Sequence, residues 1–237
     1  MREMNLTADF DPAFPAEVRM ATVPRRKRAA TMLRGITYQT YVRTIRHPAN
    51  RHLRMAYHDG TLEFMSPRIR KHEQPSDRIR LIISTVAVAL KINYEGTGKG
   101  TFRRAGDGPL KGTGKEPDQS FYFASLDRLP TDRDPNLDQG DPAPDLWVEV
   151  DHRSSSQARL PTYARLGVPE VWQYRVRSRT IRFLEREGDD YKSIDRSLAL
   201  PVLTPSLIVE ALKAGETMRE GEWIPWLQEW VKQFVTR

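Results

Sequence analysis

The stretch PDLWVEVDHRSSS, residues 144–156, decides how the rest of the chain is interpreted. Side chains of a β-strand alternate between its two faces, so a strand here would be apolar on one face and acidic on the other. The apolar face would hold Leu146, Val148 and Val150, and the other face Asp145, Trp147, Glu149 and Asp151. A strand buried on both faces needs a partner for each acid, because an unpaired buried carboxylate is very costly.

A second acid-bearing strand is predicted at EPDQSFYFAS, residues 116–125, and it too has a PD dipeptide near its start. Phe121 and Phe123 would share one face, and Asp118 would lie on the other. If the two strands are neighbours, Asp118 and Glu149 converge. Two converging carboxylates repel each other and suit a hard divalent cation such as Mg²⁺ or Mn²⁺. Such a metal can activate water and offset charge on a phosphate.

Other polar residues could support this pair. Glu73 stands beside His72 at the start of a predicted long helix, where a carboxylate is favoured by the helix dipole. Arg159 follows Glu149 by ten residues and could hold a phosphate or a water, although a guanidinium cannot act as a base. Gln157 could orient the water.

Several of these residues also have structural explanations. Asp145 follows a proline and is more typical of a turn or strand start than of a ligand. Asp151 and the serines after it suit a helix cap. His72 is more typical of a surface histidine, and a total of five histidines argues against a histidine-rich zinc site.

Composition predicts one sizeable globular domain, since 38% of the 237 residues are hydrophobic and five are tryptophans. The absence of cysteine excludes disulfides and thiolate metal sites. The longest mainly apolar run, residues 81–90, is too short to span a bilayer, and no signal-peptide pattern follows Met1. We therefore expect a soluble, cytoplasmic protein with no membrane partner.

The charge favours a polyanionic partner, nucleic acid first, since the formal net charge is +7. Ten basic residues and no acid lie between positions 19 and 54. They are Arg19, Arg25, Arg26, Lys27, Arg28, Arg34, Arg43, Arg46, Arg51 and Arg54. A solvated basic tail and a nucleic-acid-binding arm both fit this pattern.

Periodicity and turn residues predict the remaining elements. The predicted helices cover 37–47 with Thr37 as N-cap, 72–92, 155–168 ending at Gly167, and the C-terminal segment EWIPWLQEWVKQFVTR. A hairpin around Asp59-Gly60 is predicted at 52–67, and two strands between 168 and 187. The glycine-rich segment 96–115 alternates weakly around Thr101–Arg104 and is otherwise predicted to be loop. Residues 190–212 are predicted to form one strand and a turn.

Taken together, five segments resemble, in order, the Uma-two (Uma2) family of restriction endonucleases, a branch of the PD-(D/E)xK nuclease superfamily. The segments are LEFMSP, HE at 72–73, EPDQSFYF, PDLWVEVDHRSSS and YARLGVPEVW. The resemblance runs from about Thr37 to Leu200. It implies an α/β (α+β) fold with a restriction-endonuclease-like core, in which helices flank a central mixed sheet in the order α-β-β-β-α-β.

The domain organisation expected from this resemblance has three parts. Residues 1–36 would form a basic, flexible N-terminal segment, 37–205 the endonuclease-like domain, and 206–237 a C-terminal helical extension.

The resemblance also implies a site in which Asp118 and Glu149 hold Mg²⁺ or Mn²⁺ and Glu73 is a supporting acid. One departure affects catalysis. The lysine of the (D/E)xK element is replaced by Asp151, and the family places its lysine in the next helix, where RLPTYA has Arg159 instead. Arg159 keeps the charge but not the ability to transfer a proton.

Three functions follow as hypotheses. The first is a divalent-metal-dependent endonuclease acting on DNA, in which the basic segment 19–54 contacts phosphates and a homodimer could cut both strands. The second is a catalytically attenuated or inactive module on the same fold that binds nucleic acid or another partner. The third is a structural protein whose acids are paired with its many arginines.

Overall fold

The acid-bearing stretch around Glu149 forms a strand in the middle of a mixed sheet. The computed structural model describes residues 31–65, 70–98, 100–152 and 155–235, with the side chains of 70–73 and 235 outside that description. Within these residues the helices are α1 (Tyr38–Arg46), α2 (Arg70–Ala89), α3 (Leu160–Leu166), α4 (Pro205–Thr217) and α5 (Glu220–Val235). The strands are β1 (Thr31–Arg34), β2 (Arg54–His58), β3 (Thr61–Met65), β4 (Glu95–Gly96), β5 (Phe102–Ala105), β6 (Gly112–Lys115), β7 (Gln119–Tyr122), β8 (Leu146–Asp151), β9 (Glu170–Arg175), β10 (Thr180–Glu187) and β11 (Asp190–Ile194).

The larger sheet has six strands in the order β11-β10-β9-β8-β7-β4. Strands β8 and β9 are parallel, and α3 makes the crossover between them, as a parallel pair requires. The apolar face of β8 packs with α2, α4 and α5 in the main core, where Val148 belongs to one cluster with Ile83 and Leu227. The other face carries Trp147, which packs with Tyr163 of α3. Strand β8 is therefore buried on both faces.

The smaller sheet has five antiparallel strands in the order β1-β3-β2-β6-β5. Its core contains Tyr41 of α1, with Met55, Tyr57 and Leu62 from the β2–β3 hairpin. Strands β5 and β6 lie against α3. The two sheets consequently meet on the face of β8 that carries the acids.

Several predictions are confirmed, beginning with the α+β fold class, since helices flank a mixed sheet. Thr37 caps α1, where its hydroxyl accepts a hydrogen bond from the Thr40 N–H at 3.1 Å. The β2–β3 hairpin turns at Asp59-Gly60, and both residues have positive φ, as a tight hairpin turn requires. Gly167 ends α3 in the left-handed conformation.

Strand β5 coincides with the weak alternation around Thr101–Arg104, whereas the loop prediction for the rest of the glycine-rich segment is wrong, because it also contains β6 and the end of β4. Strands β5 and β6 belong to the smaller sheet, which stands beside the mixed sheet that the resemblance implied. Strand β6 has the sequence GTGK. Its two glycines carry no side chains, so the sequence shows no alternation there from which a strand could be predicted. Gly114 is needed there, since a Cβ at this position would lie 2.3 Å from the Tyr41 hydroxyl oxygen.

The prediction of one strand and a turn for residues 190–212 is wrong in its last part, because α4 begins at Pro205. Thr204 accepts a hydrogen bond from the Leu207 N–H at 3.3 Å, and Pro205 occupies the first turn, where its missing N–H costs nothing.

The ends of the chain bear on the expected three-part organisation, which stays a prediction. Residues 1–30 lie outside the described residues, and β1 pairs with β3 in the smaller sheet. Helices α4 and α5 share the core of α2. Among the helices described, none is both long and apolar enough to cross a membrane.

The packing of Gly114 against Tyr41 generates a stability prediction. Gly114→Ala should lower the free energy of unfolding by about 1–3 kcal/mol, because the added methyl group overpacks a buried contact. Gly221→Ala is the matched control, since a Cβ there meets nothing within 4 Å and alanine favours a helix. Urea denaturation of both variants measures the difference. Equal stability of the two variants would contradict the packing assigned to β6.

Candidate active site

The pairing of β7 with β8 brings the two predicted carboxylates together. Gln119 lies opposite Val148, so Asp118 falls next to Glu149 across the two strands. The Asp118 N–H donates to the Val148 carbonyl at 3.1 Å, and the Val150 N–H donates to Asp118 Oδ2 at 2.8 Å. These backbone contacts fix the Asp118 carboxylate beside β8.

Glu149 is buried and its partner is a lysine that comes from the other sheet. Lys115, the last residue of β6, is 0% exposed, and its ammonium donates to Glu149 Oε1. Trp147 Nε1 donates to the same oxygen at 2.6 Å. The ammonium lies 5.3 Å from the centre of the Tyr163 ring and 5.7 Å from that of Trp147. The acid on the buried face of β8 thus has a cationic partner inside an aromatic enclosure.

Burial makes the ionisation of these two groups interdependent. Burial raises the pKa of Glu149, the Lys115 ammonium opposes that shift, and the nearby Asp118 charge adds to it. Burial likewise lowers the pKa of Lys115, and the Glu149 and Asp118 carboxylates oppose that shift. A lysine that gives up its proton more readily than usual is suited to acid–base chemistry.

Asp118 also has a cationic partner. Arg54 of β2 donates from Nη2 to Asp118 Oδ1 at 3.3 Å, and its Nε lies 3.8 Å from Glu116 Oε2. Arg54 thus belongs to this site, although the sequence grouped it with a basic arm. The Asp118 main chain is tied to α2, because the Ser76 hydroxyl donates to its carbonyl at 3.3 Å.

Glu73 lies three residues before Ser76 on α2, near the start of the helix. Its side chain and that of His72 fall outside the described residues, so the role of Glu73 as a supporting acid stays a prediction.

Arg159 lies at the start of α3 and pairs with Glu63 of β3. Its Nε and Nη2 donate to the two Glu63 carboxylate oxygens at 3.3 and 2.7 Å, which is a bidentate arrangement. Its charge still acts on the Tyr163 hydroxyl, whose pKa it lowers against the larger effect of burial. Gln157 is exposed and accepts a hydrogen bond from Arg182. The structure therefore brings Arg159 near the carboxylates but bonds it to a different acid.

Two acids at the ends of the β8 segment are structural, as their alternatives predicted. Asp145 accepts the N–H groups of Phe123 and Ser125 at 2.7 and 2.9 Å, which fixes the chain after β7. Asp151 accepts the N–H and the hydroxyl of Ser156, which starts the turn before α3. These contacts account for both carboxylates without a ligand.

The hydroxyl of Tyr163 is an orphaned polar atom beside this cluster. It is buried and has no hydrogen-bond partner among the described residues. Burial raises its pKa well above the usual range, so it stays protonated as a hydrogen-bond donor. Leaving such a group unpaired costs about 1–3 kcal/mol, so an orphaned donor here points to a ligand or a water as its partner.

These residues fit a hard divalent cation. Asp118 and Glu149 offer carboxylate oxygens on neighbouring strands, and Mg²⁺ takes one or two carboxylates and keeps several waters. In the described parts of the chain no group of three or more His, Cys, Asp or Glu side chains is placed to hold a metal. Asp118 and Glu149 are therefore the candidate ligands among the described residues, and their metal-binding role stays a prediction.

Sequence reasoning missed Lys115, Arg54 and the Tyr163 hydroxyl as members of this site. Lys115 was hidden in the segment predicted to be loop, although it stands three residues before Asp118. A lysine directly before an EPD strand is a signal that could have suggested it.

Comparisons with known proteins bear on the family of this chain. The family model Uma2, described as "Putative restriction endonuclease", matches residues 38–215. No curated protein sequence matches the chain significantly. A solved chain from Anabaena variabilis, described as "a putative nuclease belonging to DUF820", is 17% identical with a TM-score of 0.47. The match covers 83% of this chain and 99% of that one.

The buried pair generates a second stability prediction. Lys115→Met should cost about 3–5 kcal/mol of unfolding free energy at neutral pH, because it leaves Glu149 buried without its cation. Stability of the variant should fall as pH rises from about 4.5, because folded Glu149, with its raised pKa, keeps a proton that the unfolded chain loses. Urea denaturation across about pH 4–8 measures both effects.

Lys111→Met is the control, because Lys111 is exposed and pairs with Asp59 at the surface. It should cost about 1 kcal/mol or less. Equal losses in the two variants, without the pH trend, would contradict the buried pairing of Lys115 with Glu149.

Proposed function

The chain belongs to the Uma2 family, and from this premise we propose that it is a divalent-metal-dependent nuclease that hydrolyses phosphodiester bonds of DNA. The observation that carries the proposal is the buried ion pair of Lys115 and Glu149 beside Asp118. Together they supply two carboxylates and a lysine, the three components of the superfamily pattern that the sequence resembles.

Asp118 and Glu149 would hold Mg²⁺ or Mn²⁺, one carboxylate from each strand. Bound there, the cation would activate water and offset negative charge on the phosphate. The backbone contacts of Asp118 and the Trp147 hydrogen bond to Glu149 restrain the two carboxylates beside each other. Glu73 completes the proposed site as a supporting acid.

Lys115 would supply the proton transfer that the resemblance assigns to the family lysine and that Arg159 cannot perform. Its ammonium is already hydrogen-bonded to Glu149, and its lowered pKa favours proton transfer at Nζ. Arg159 would supply a permanent positive charge that steadies the phosphate, held in place by Glu63. The lysine comes from β6 in this chain, and the arginine from α3.

The substrate and setting follow from charge and composition. Exposed Arg34, Arg43 and Arg46 remain available to contact phosphates, whereas Arg54 is engaged with Asp118. The absence of cysteine suits the reducing cytoplasm, where we place the protein. A homodimer would let two sites cut both strands.

One observation favours a second function. Both carboxylates already have cationic partners, Lys115 for Glu149 and Arg54 for Asp118. A site neutralised in this way could belong to a catalytically inactive module that binds nucleic acid or another partner without metal.

Cleavage of supercoiled plasmid DNA in Mg²⁺ or Mn²⁺ tests the proposal. Asp118→Asn should reduce the cleavage rate at least ~100-fold through loss of a metal ligand. Lys115→Arg should also reduce it about 100-fold, because the charge stays while proton transfer is lost. Arg159→Lys should retain cleavage. Asp127→Asn, a change of an exposed acid outside the site, is the control and should leave the rate unchanged.

Unchanged cleavage in Asp118→Asn would remove the assigned site. DNA binding without cleavage, in both the wild type and Arg159→Lys, would favour the inactive module.

A further inference from the structure

We propose that Arg175 and Arg182, hereafter the arginine pair, bind phosphates of a nucleic-acid strand beyond the bond that is cut. This inference rests on the proposed function and extends it to the length of substrate that the site recognises. The arginine pair would make the contacts that a dinucleotide is too short to reach.

The register of the larger sheet places the arginine pair on the side of the site. Glu149 lies opposite Gln173, and Gln173 lies opposite Arg182. Residues directly opposite on neighbouring strands share a face, so the three form a row that leads from the buried carboxylate to an exposed guanidinium. Arg175 lies opposite Asp151, one step further along the same face.

The spacing of the row suits a polynucleotide. Two strand separations of about 4.8 Å put the Arg182 backbone about 10 Å from that of Glu149. A nucleic-acid strand carries one phosphate per about 3.4 Å of duplex axis, so a duplex whose axis runs along the row would advance by about three nucleotides over this distance.

Neutral hydrogen bonds hold the two guanidinium groups in place. Arg182 donates to the Gln173 side-chain oxygen at 2.7 Å, and the Gln173 amide donates to the Ser156 hydroxyl at 2.7 Å. Arg175 donates to the Ser155 hydroxyl at 3.1 Å. Gln173 is buried, so the row is anchored inside the protein while its outer end faces solvent.

Among the described residues, no carboxylate neutralises the charges of the arginine pair. In the described ranges, no carboxylate forms an ion pair with either residue, and both are exposed. Arg179, in the turn between the same two strands, pairs instead with Glu216 at 3.0 Å. The acid opposite Arg175, Asp151, is bonded to Ser156. Arginine is well suited to bind phosphate because its planar fork can donate two parallel hydrogen bonds.

The test is the salt dependence of DNA binding, measured without divalent metal so that no cleavage occurs. The probe is a fluorescein-labelled duplex of about 20 base pairs, and the readout is its anisotropy between about 50 and 200 mM salt. The Arg175→Gln, Arg182→Gln double variant should show a log K against log salt slope that is smaller by about 2, since each lost phosphate contact lowers it by about 0.9.

Arg186→Gln is the matched control. Arg186 is exposed on the same strand as Arg182, but near the opposite end, and donates to the Gly188 carbonyl. Its loss should leave the slope unchanged.

Arg182→Lys separates phosphate binding from a bracing role. Lysine keeps the charge and loses the fork, so the slope should be retained if Arg182 contacts phosphate. The single variant Arg182→Gln is the reference, and a slope of Arg182→Lys reduced as far as that of Arg182→Gln would overturn the proposal in favour of a purely structural role for Arg182. Thermal unfolding of each variant confirms that the fold is kept.

Two further outcomes separate this inference from the proposed function. Binding by the wild type with an unchanged slope in the double variant would overturn the inference and leave the nuclease proposal standing. Failure of the wild type to bind or cut the duplex would overturn both.

Discussion

The buried ion pair of Lys115 and Glu149 is the constraint on which the rest of the structure depends, because its two residues come from different sheets. It joins β6 of the smaller sheet to β8 of the larger. Three other ion pairs lie in the same region between the two sheets. They are Arg54–Asp118, Arg159–Glu63 and Arg165–Asp59. A buried pair of this kind is weak evidence for stability, since desolvation offsets most of the attraction and apolar residues of similar size often serve better. A buried pair with shifted pKa values beside another carboxylate is the arrangement that the proposed chemistry would use.

Glu170 provides an internal comparison for this conclusion. It is a buried acid on β9, and burial raises its pKa too. Its carboxylate accepts hydrogen bonds from Trp172 Nε1, from the Ser197 hydroxyl and from two backbone N–H groups. Glu170 shows that this fold can satisfy a buried carboxylate with neutral donors. Burial of Glu149 therefore does not by itself require a lysine partner, and Lys115 lies close enough to Asp118 to serve the proposed reaction.

The sequence predicted the fold where side chains carry a periodic pattern. The alternation in β8 predicted a strand, the apolar residues of α2 predicted a helix, and Asp59-Gly60 predicted a hairpin turn. The structure contains all three. Prediction failed where the structure depends on backbone conformation or on packing against distant residues, which side-chain periodicity does not show. The glycines of β6 show no alternation, since they have no side chains, and Gly114 leaves room for Tyr41. Residues 190–212 were predicted to form one strand and a turn, whereas α4 begins at Pro205.

In the candidate site, the two carboxylates could be predicted from the sequence, and their cationic partners could not. The sequence predicted that Asp118 and Glu149 converge if the two strands with PD dipeptides pair, and β7 does pair with β8. The partners of these acids could not be predicted, because Lys115 and Arg54 reach them from the other sheet. Contacts between residues 34 or 64 positions apart depend on how the sheets pack, which no local pattern encodes.

Calorimetric titration of Mn²⁺ and Mg²⁺ tests the central claim most directly, with the wild type compared against Asp118→Asn and Glu149→Gln. We expect binding to the wild type and loss of that binding in both variants. Absence of binding to the wild type, even with DNA present, or equal binding to all three proteins, would contradict a metal site between β7 and β8.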